Sequence, residues 1–318
     1  MHYFYTLIAI LFTTTALFAE KVKEADPERV DADYAIQGEY SGTAESGKKL
    51  GVQVIALGDG KFQAVGYVGG LPGDGWDKGE RERTDGALKD GVVVFAGKEG
   101  RKGTLRGGSI TIEIDGKRVG SLKKIKRVSP TMGMKPPKGA VVLFDGSTGE
   151  HFHGAKITED GFLEQGVKSK QEFGSHTIHL EFRTPYKPKA RGQGRGNSGL
   201  YMQGRYETQI LDSFGLAGKH NECGGIYSVK DSDENMCFPP LTWQTYDIDF
   251  TAAKFEGGKK IAHARMTVKL NGVAIHQDVE VPKSTTASPK KEGPEPGFVY
   301  IQNHGNPVRL RNIWVLPK

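Results

Sequence analysis

Short runs of alternating apolar and polar residues, broken by glycine turns, occupy this chain from Tyr34 almost to its end, and few folds are compatible with that pattern. A period of two places successive side chains on opposite faces of a pleated strand, whereas a helix needs an apolar return every three to four residues. The first group of runs is YAIQGEY (34–40), LGVQVIAL (50–57), KFQAVGYV (61–68), GVVVFAG (91–97), SITIEID (109–115) and RVGSLKKI (118–125). The second is HTIHLEFRT (176–184), SGLYMQ (198–203), YETQIL (206–211), WQTYDIDFT (243–251), HARMTVKLNGVAIHQDVEV (263–281), GFVYIQNHG (297–305) and VRLRNIWVLP (308–317). Gly58-Asp59-Gly60, Asp115-Gly116 and Asn271-Gly272 are hairpin signals between such runs. Long helical periodicity is hard to find, so the expected fold class is all-β.

A chain of 318 residues is long enough for about two domains. The three prolines of SPTMGMKPPK mark a linker over 129–139. It separates a small antiparallel β domain at 34–128, read as an accessory or binding module, from a second domain at 140–318. The second domain is predicted to pack two antiparallel sheets as a sandwich or jelly roll. Within the first, the long loop 69–86 carries Trp76, which either stacks on a ligand or lids the small core.

Tyr3 to Phe18 is apolar and ends at Ala19 before the charged Glu20-Lys21-Val22-Lys23, as in a secretory signal peptide. The expected layout is a signal over 1–19, with an uncleaved anchor as the alternative, then a polar tail over 20–33. An exported protein, periplasmic or extracellular, follows, with no membrane association after cleavage. The net charge of +6 is scattered in Lys/Arg runs beside Gly, Pro and Ser, not interleaved with aromatics, so nucleic acid is not an expected partner. In an oxidising compartment Cys223 and Cys237 could close one loop as a disulfide. Oligomeric state is not legible.

The richest stretch is NSGLYMQGRYETQILD, 197–212. On a strand Glu207 and Gln209 share a face, and a one-residue bulge would bring Asp212 to it. The alternative is a solvated sheet face. Tyr201, Tyr206 and Trp243 offer apolar faces to a ligand, with Trp243 equally suited to a core. Asn197 and Arg205 offer hydrogen bonds, and Glu181 is expected on the same concave surface. His304 is a candidate base, because imidazole titrates near neutrality, or else a structural turn residue. His151, His153, His176 and His179 read as structural or exposed.

The segments LFDG (143–146), EFGSHTIHLEFRTP (172–185), NSGLYMQGRYETQILD, CGGIY (223–227), PPLTWQTYDIDF (239–250), LNGVAIH (270–276) and YIQNHGNPVRLRNIWVLP (300–317) resemble, in order and spacing, a family named for 3-keto-disaccharide hydrolase. That resemblance covers about Ala140 to the C-terminus. It implies a concanavalin A-like jelly roll and a carbohydrate substrate, a glycoside oxidised at carbon 3. The stretch between LFDG and EFGSHTIHLEF often carries a Trp in that family and has none here. The ETQILD run also looks like the E-x-D-x-x-E strand of glycoside hydrolase family 16, with Gln209 and Asp212 replacing the second and third acids. A two-carboxylate retaining mechanism fits poorly with so short a last acid. Acid/base elimination and hydration fits better, because the carbonyl acidifies the proton at C2. Glu207 and Asp212 are the expected pair, with Gln209 holding a hydroxyl. No cofactor is predicted, although enolate chemistry is compatible with a divalent metal. A lectin-like binding module and an ordinary glucan hydrolase are the alternatives.

Overall fold

The structure, a computed structural model, describes residues 25–26 and 29–318. The signal-peptide expectation lies outside the described residues. A short helix, α1 (Ala32–Ile36), starts at Asp31, whose carboxylate accepts from the Tyr34 amide. The first alternating run is therefore helix at its start and strand only from Gly38.

Eight strands follow: β1 (Gly38–Ala44), β2 (Lys49–Gly58), β3 (Lys61–Val68), β4 (Glu82–Lys89), β5 (Val92–Ala96), β6 (Arg101–Arg106), β7 (Ser109–Ile114) and β8 (Lys117–Ile125). Each pairs with the next, and β8 returns to β1 with Tyr40 opposite Lys124, closing an antiparallel barrel. The alternating pattern had missed β4 and β6. Their sequences, ERTDGALK and RKGTLR, put Thr84, Gly86 and Gly103 where large apolar residues would have signalled a strand. The turn pairs Asp59-Gly60, Asp115-Gly116 and Asn271-Gly272 all have positive φ at both residues, as expected of two-residue hairpins.

One end of the barrel is packed solid. Tyr40, Val54, Phe62 and Val93 share a core with Tyr34 and Ile36 of α1 and with Tyr186 and Leu241 from the second domain. Trp76 lies on the outer wall, edge-on to Tyr67 at 5.4 Å, with Arg81 over its ring. It lids a small outer core of Ile55, Val65, Tyr67, Leu71 and Phe214.

The second domain begins with β9 (Val141–Phe144), β10 (Phe152–His153), β11 (Leu163–Glu164), β12 (Val167–Phe173), β13 (His176–Arg183), β14 (Ser198–Met202) and β15 (Tyr206–Ile210). It continues through β16 (Gln244–Thr251), β17 (Lys254–Glu256), β18 (Lys259–Ala262), β19 (Ala264–Leu270), β20 (Val273–Val281), β21 (Gly297–Ile301) and β22 (Arg309–Pro317). A five-stranded sheet, β10-β12-β21-β14-β15, packs on a second sheet, β11-β22-β13-β16-β19-β20, with β9 paired to β22. Leu200, Met202, Tyr206, Ile210, Val299 and Ile301 of the first sheet share one core with Ile178, Leu180 and Phe182 of the second. The molecule is all-β: a sandwich preceded by a small barrel.

Strand parity then places the opposite set of β13 on the outside of the second sheet. Glu181 is there, away from the five-stranded sheet, which corrects its expected place on the substrate face. Its carboxylate accepts from Arg311 Nε (2.6 Å), Asn312 Nδ2 (2.9 Å) and the Gly133 amide (2.6 Å). Burial alone would raise its pKa; these bonds and His179 outweigh burial and hold it at about 2. Trp243 is on this outer side too, with the Arg311 guanidinium 4.1 Å and the Arg183 guanidinium 5.1 Å from its ring. The proline-rich linker is an ordered strap over the same surface: Thr131 bonds Asp247 at 2.7 Å and Trp314 Nε1 donates to Met134 O at 3.3 Å.

Cys223 and Cys237 are free, fully buried thiols, which corrects the expected bridge. The segment between them is pinned instead by hydrogen bonds, Cys223 N to Ser213 Oγ (2.8 Å) and Cys237 N to Asn235 Oδ1 (3.0 Å). Cys223 Sγ lies 3.4 Å from the Tyr246 hydroxyl.

Candidate active site

On β14 and β15 the residues that do not face the core form a polar surface. Tyr201 is directly opposite Glu207, and Gly199 opposite Gln209. On the next strand Tyr300 pairs with Tyr201, and their rings are 5.4 Å apart. Gln302, just past β21, donates from Nε2 to the Tyr201 hydroxyl at 3.2 Å. Tyr300, Gln302 and Lys168 reach towards solvent, while Tyr201 and Glu207 form the buried floor.

The Glu207 carboxyl leans diagonally over Gly199. A Cβ built on Gly199 would stand 2.1 Å from Glu207 Oε1, so any other residue there would displace the acid. Glycine near the start of this strand therefore serves close approach of the carboxyl. The Glu207 backbone is held by Thr285 Oγ1, which accepts from its amide at 3.0 Å, and by the Tyr227 amide, which donates to its carbonyl at 3.1 Å.

Five buried carboxylates separate by their partners. Glu39 is paired with Arg127, Glu181 with Arg311, and Asp212 with Arg195, while Asp33, at the barrel end, accepts from the Gly60 amide at 2.9 Å. Glu207 has no cation beside it among the described residues: burial dominates, and only the Tyr201 hydroxyl, bonded to it, pulls the other way. Its pKa is pushed up to about 7. Burial and the neighbouring carboxylate also raise the Tyr201 phenol far out of the physiological range, so it remains a donor.

Beside Glu207 lies a fan of amides. Gln193 Oε1 accepts from Gln209 Nε2 and from Asn197 Nδ2, both at 3.0 Å, and Gln193 Nε2 donates to Asn221 O at 2.8 Å. Asn197 Oδ1 is buried without a hydrogen-bond partner among the described residues.

The other expected residues are elsewhere. Asp212 is past the end of β15; Arg195 donates to its Oδ2 from Nε (3.0 Å) and Nη2 (2.6 Å), and the Phe214 amide reaches Oδ1. It staples the loop to the strand and is not free to share protons with Glu207. No bulge brings it round. Tyr206 belongs to the core side, its ring 5.5 Å from Phe250 and its hydroxyl on Glu292. Arg205 donates to the carbonyls of Lys291 and Glu295 and to Gln203, fastening the loop before β21. His304 is exposed in the turn two residues beyond Gln302. Gln193, Gln302 and Tyr300 had not been singled out in the sequence; the parity Tyr300/Gln302 was there to find, but its pairing to Tyr201 was not. No group of three or more His, Cys, Asp or Glu side chains able to hold a metal occurs among the described residues.

The barrel backs this site. Phe214, two residues after Asp212, is buried among Ile55, Val65, Tyr67 and Leu71 of the barrel's outer wall. Arg81 donates to Leu216 O at 2.8 Å, and Arg83 to Gly215 O.

Residues 139–316 match the family described as a 3-keto-alpha-glucoside-1,2-lyase-like domain. A solved structure from Parabacteroides distasonis, provisionally described as a glycosyl hydrolase, shares 28% identity and superposes with a TM-score of 0.53. That likeness covers 57% of this chain and 85% of the other. A second structure from the same organism, described in the same way, shares 21% identity over 56% of this chain and 99% of its own, with a TM-score of 0.41. Among curated proteins nothing matches the chain. Over more than half its length, and over all the strands that build the Glu207 face, the chain belongs to the 3-keto-α-glucoside-1,2-lyase-like family.

Proposed function

We propose that this protein is an exported, carbohydrate-active enzyme that cleaves glycosides oxidised at C3, by elimination across C1 and C2, with Glu207 as the base. The observation that carries the reading is a buried carboxyl on the polar sheet face of the second domain with no cation beside it, where Glu39, Glu181 and Asp212 each have one, and with a pKa raised to about 7. A carboxyl titrating near neutrality can both take up and return a proton at working pH, where an ordinary surface Glu is already a weak base.

In the reaction, Glu207 takes the C2 proton, which the C3 carbonyl has acidified. The electron pair passes to the carbonyl oxygen as an enolate, then returns to expel the C1 oxygen, which takes up a proton as it leaves. Water adds to the resulting enone. Tyr201, held by Gln302, donates to the Glu207 carboxylate and fixes its direction. The Gln193–Gln209–Asn197 fan supplies sugar-hydroxyl contacts, and the Tyr300 ring an apolar face for the sugar. His304 and a divalent cation are the two candidates for holding the enolate oxygen. Export rests on the apolar run 3–18 ahead of the charged segment.

The test is product formation from matched glucosides and their 3-keto forms, with and without chelator, in the wild type, Glu207→Gln and His304→Ala. The proposal expects cleavage of the keto forms alone and its loss in Glu207→Gln. Turnover of plain glucosides would favour ordinary hydrolysis, and saturable sugar binding without product a lectin-like module. Full activity of Glu207→Gln would remove the assigned base.

A further inference from the structure

The barrel is solid at one end and hollow at the other. A cavity of about 1180 Å³, counting its mouth beneath the loop 77–83, opens into it on the side of the β1–β2, β5–β6 and β7–β8 turns. The wall is apolar, made by Leu50, Val52, Ala64, Phe95, Ile110 and Ile112. The hollow has a cause in sequence: inward positions towards the open end carry small residues. Gly66 and Gly103 have room for a Cβ, whose nearest neighbours would be 3.9 Å and 3.6 Å away. At the packed end the equivalent positions hold Phe62 and Leu105.

We propose that this hollow is a binding cup for a single-chain amphiphile, an alkyl or acyl chain ending in a small uncharged polar head. An eight-stranded barrel is the size at which the interior is either filled by its own side chains or holds one small ligand, and here its open end is not filled. The closed hydrogen-bond circuit leaves no strand edge, so an extended peptide has nothing to pair with. A free sugar or nucleotide would bury hydroxyls and phosphates against Val52, Ile110 and Ile112 with no partners. An alkyl chain meets that wall without penalty. The rim selects the head. Its charges nearly balance: Lys48, Arg81, Arg83, Lys98, Arg101 and Lys102 stand with Glu45, Asp77, Glu80, Glu82 and Glu99, Arg101 bonding Glu82 (2.9 Å) and Glu99 (2.5 Å) and Lys102 pairing with Glu113 (2.6 Å). A rim of mixed, nearly balanced charge offers hydrogen bonds to a neutral head and little net attraction to an anion or a cation.

The test is a fluorescence titration of the purified protein with the neutral probe N-phenyl-1-naphthylamine, followed by displacement with dodecanol, dodecanoate, dodecylamine and glucose. Saturable binding at one probe per chain, displaced by dodecanol better than by either charged analogue and not at all by glucose, is expected. Gly66→Leu and Gly103→Leu, each filling the hollow, should weaken binding at least tenfold while far-UV circular dichroism stays unchanged. Should neither fold, Ile112→Lys, which places a charge on the wall, should do the same. Absence of saturable binding, or undiminished binding in a folded cavity-filling variant, would overturn the proposal. Preferential displacement by a charged analogue would overturn the neutral head.

Discussion

Glu207→Gln tests the electrostatics of the site without any substrate. The wild-type carboxyl has an unfolded pKa near 4.5 and a folded one of about 7. Between those values the folded protein keeps a proton that the unfolded chain has released, so stability falls as pH rises through the window. Below the window the contribution is fully present; above about pH 7 it is gone. At about 1.4 kcal/mol per pKa unit the whole effect is about 3 kcal/mol, of which about 2.5 kcal/mol falls between pH 5 and 8.5. Glutamine keeps the volume and an acceptor for Tyr201 but cannot ionise, so it is the reference. His176 and His276, both buried and held at about 4, push stability the opposite way over an overlapping range. Absolute curves therefore mix the effects, while the difference between wild type and variant isolates Glu207. Urea unfolding at half-unit pH steps should show the variant gaining on the wild type by about 2.5 kcal/mol from pH 5 to 8.5. A difference flat to within about 0.5 kcal/mol would refute the burial argument, whatever the enzyme's substrate.

The same carboxyl sets the activity profile: on a 3-keto glucoside, kcat/KM should rise with pH and level off above about 7. Gly199→Ala should abolish turnover while the melting temperature changes little, because the new Cβ occupies the carboxyl's place. Asp212→Ala should cost about 3 to 5 kcal/mol in urea unfolding by stranding the buried Arg195, a loss that Asp212→Ala/Arg195→Met should largely recover. Thiol titration in denaturant without reductant should count two free cysteines per chain; none would show that Cys223 and Cys237 are bonded after all.

Period-two patterning, hairpin turn residues and the order of the motifs determine a great deal here, because each depends on neighbours along the chain. They were enough to make the protein all-β, and they single out 197–212 as the richest stretch. They also put Glu207 and Gln209 on one face, since parity within a strand needs no knowledge of any other strand. Which face that was, and what lay across from it, only the tertiary structure decided. Tyr206 is adjacent to Glu207 in sequence and is on the far side of the sheet, in the core. Glu181 and Trp243 lie on the outside of the other sheet, where the strap and the arginines of β22 cover them. Asp212 looks like a second catalytic acid until Arg195, seventeen residues earlier, is brought against it. Conversely Tyr300, Gln302 and Gln193 converge on Tyr201 and Gln209 from about 15 to 100 residues away. The barrel's hollow follows the same logic. Individual glycines on β3 and β6 say little, and only closure of the sheet turns them to face one another across an empty interior. A carboxyl's chemistry depends on the charges and water within a few ångströms of it, and those neighbours are chosen by packing between strands, not by sequence along them.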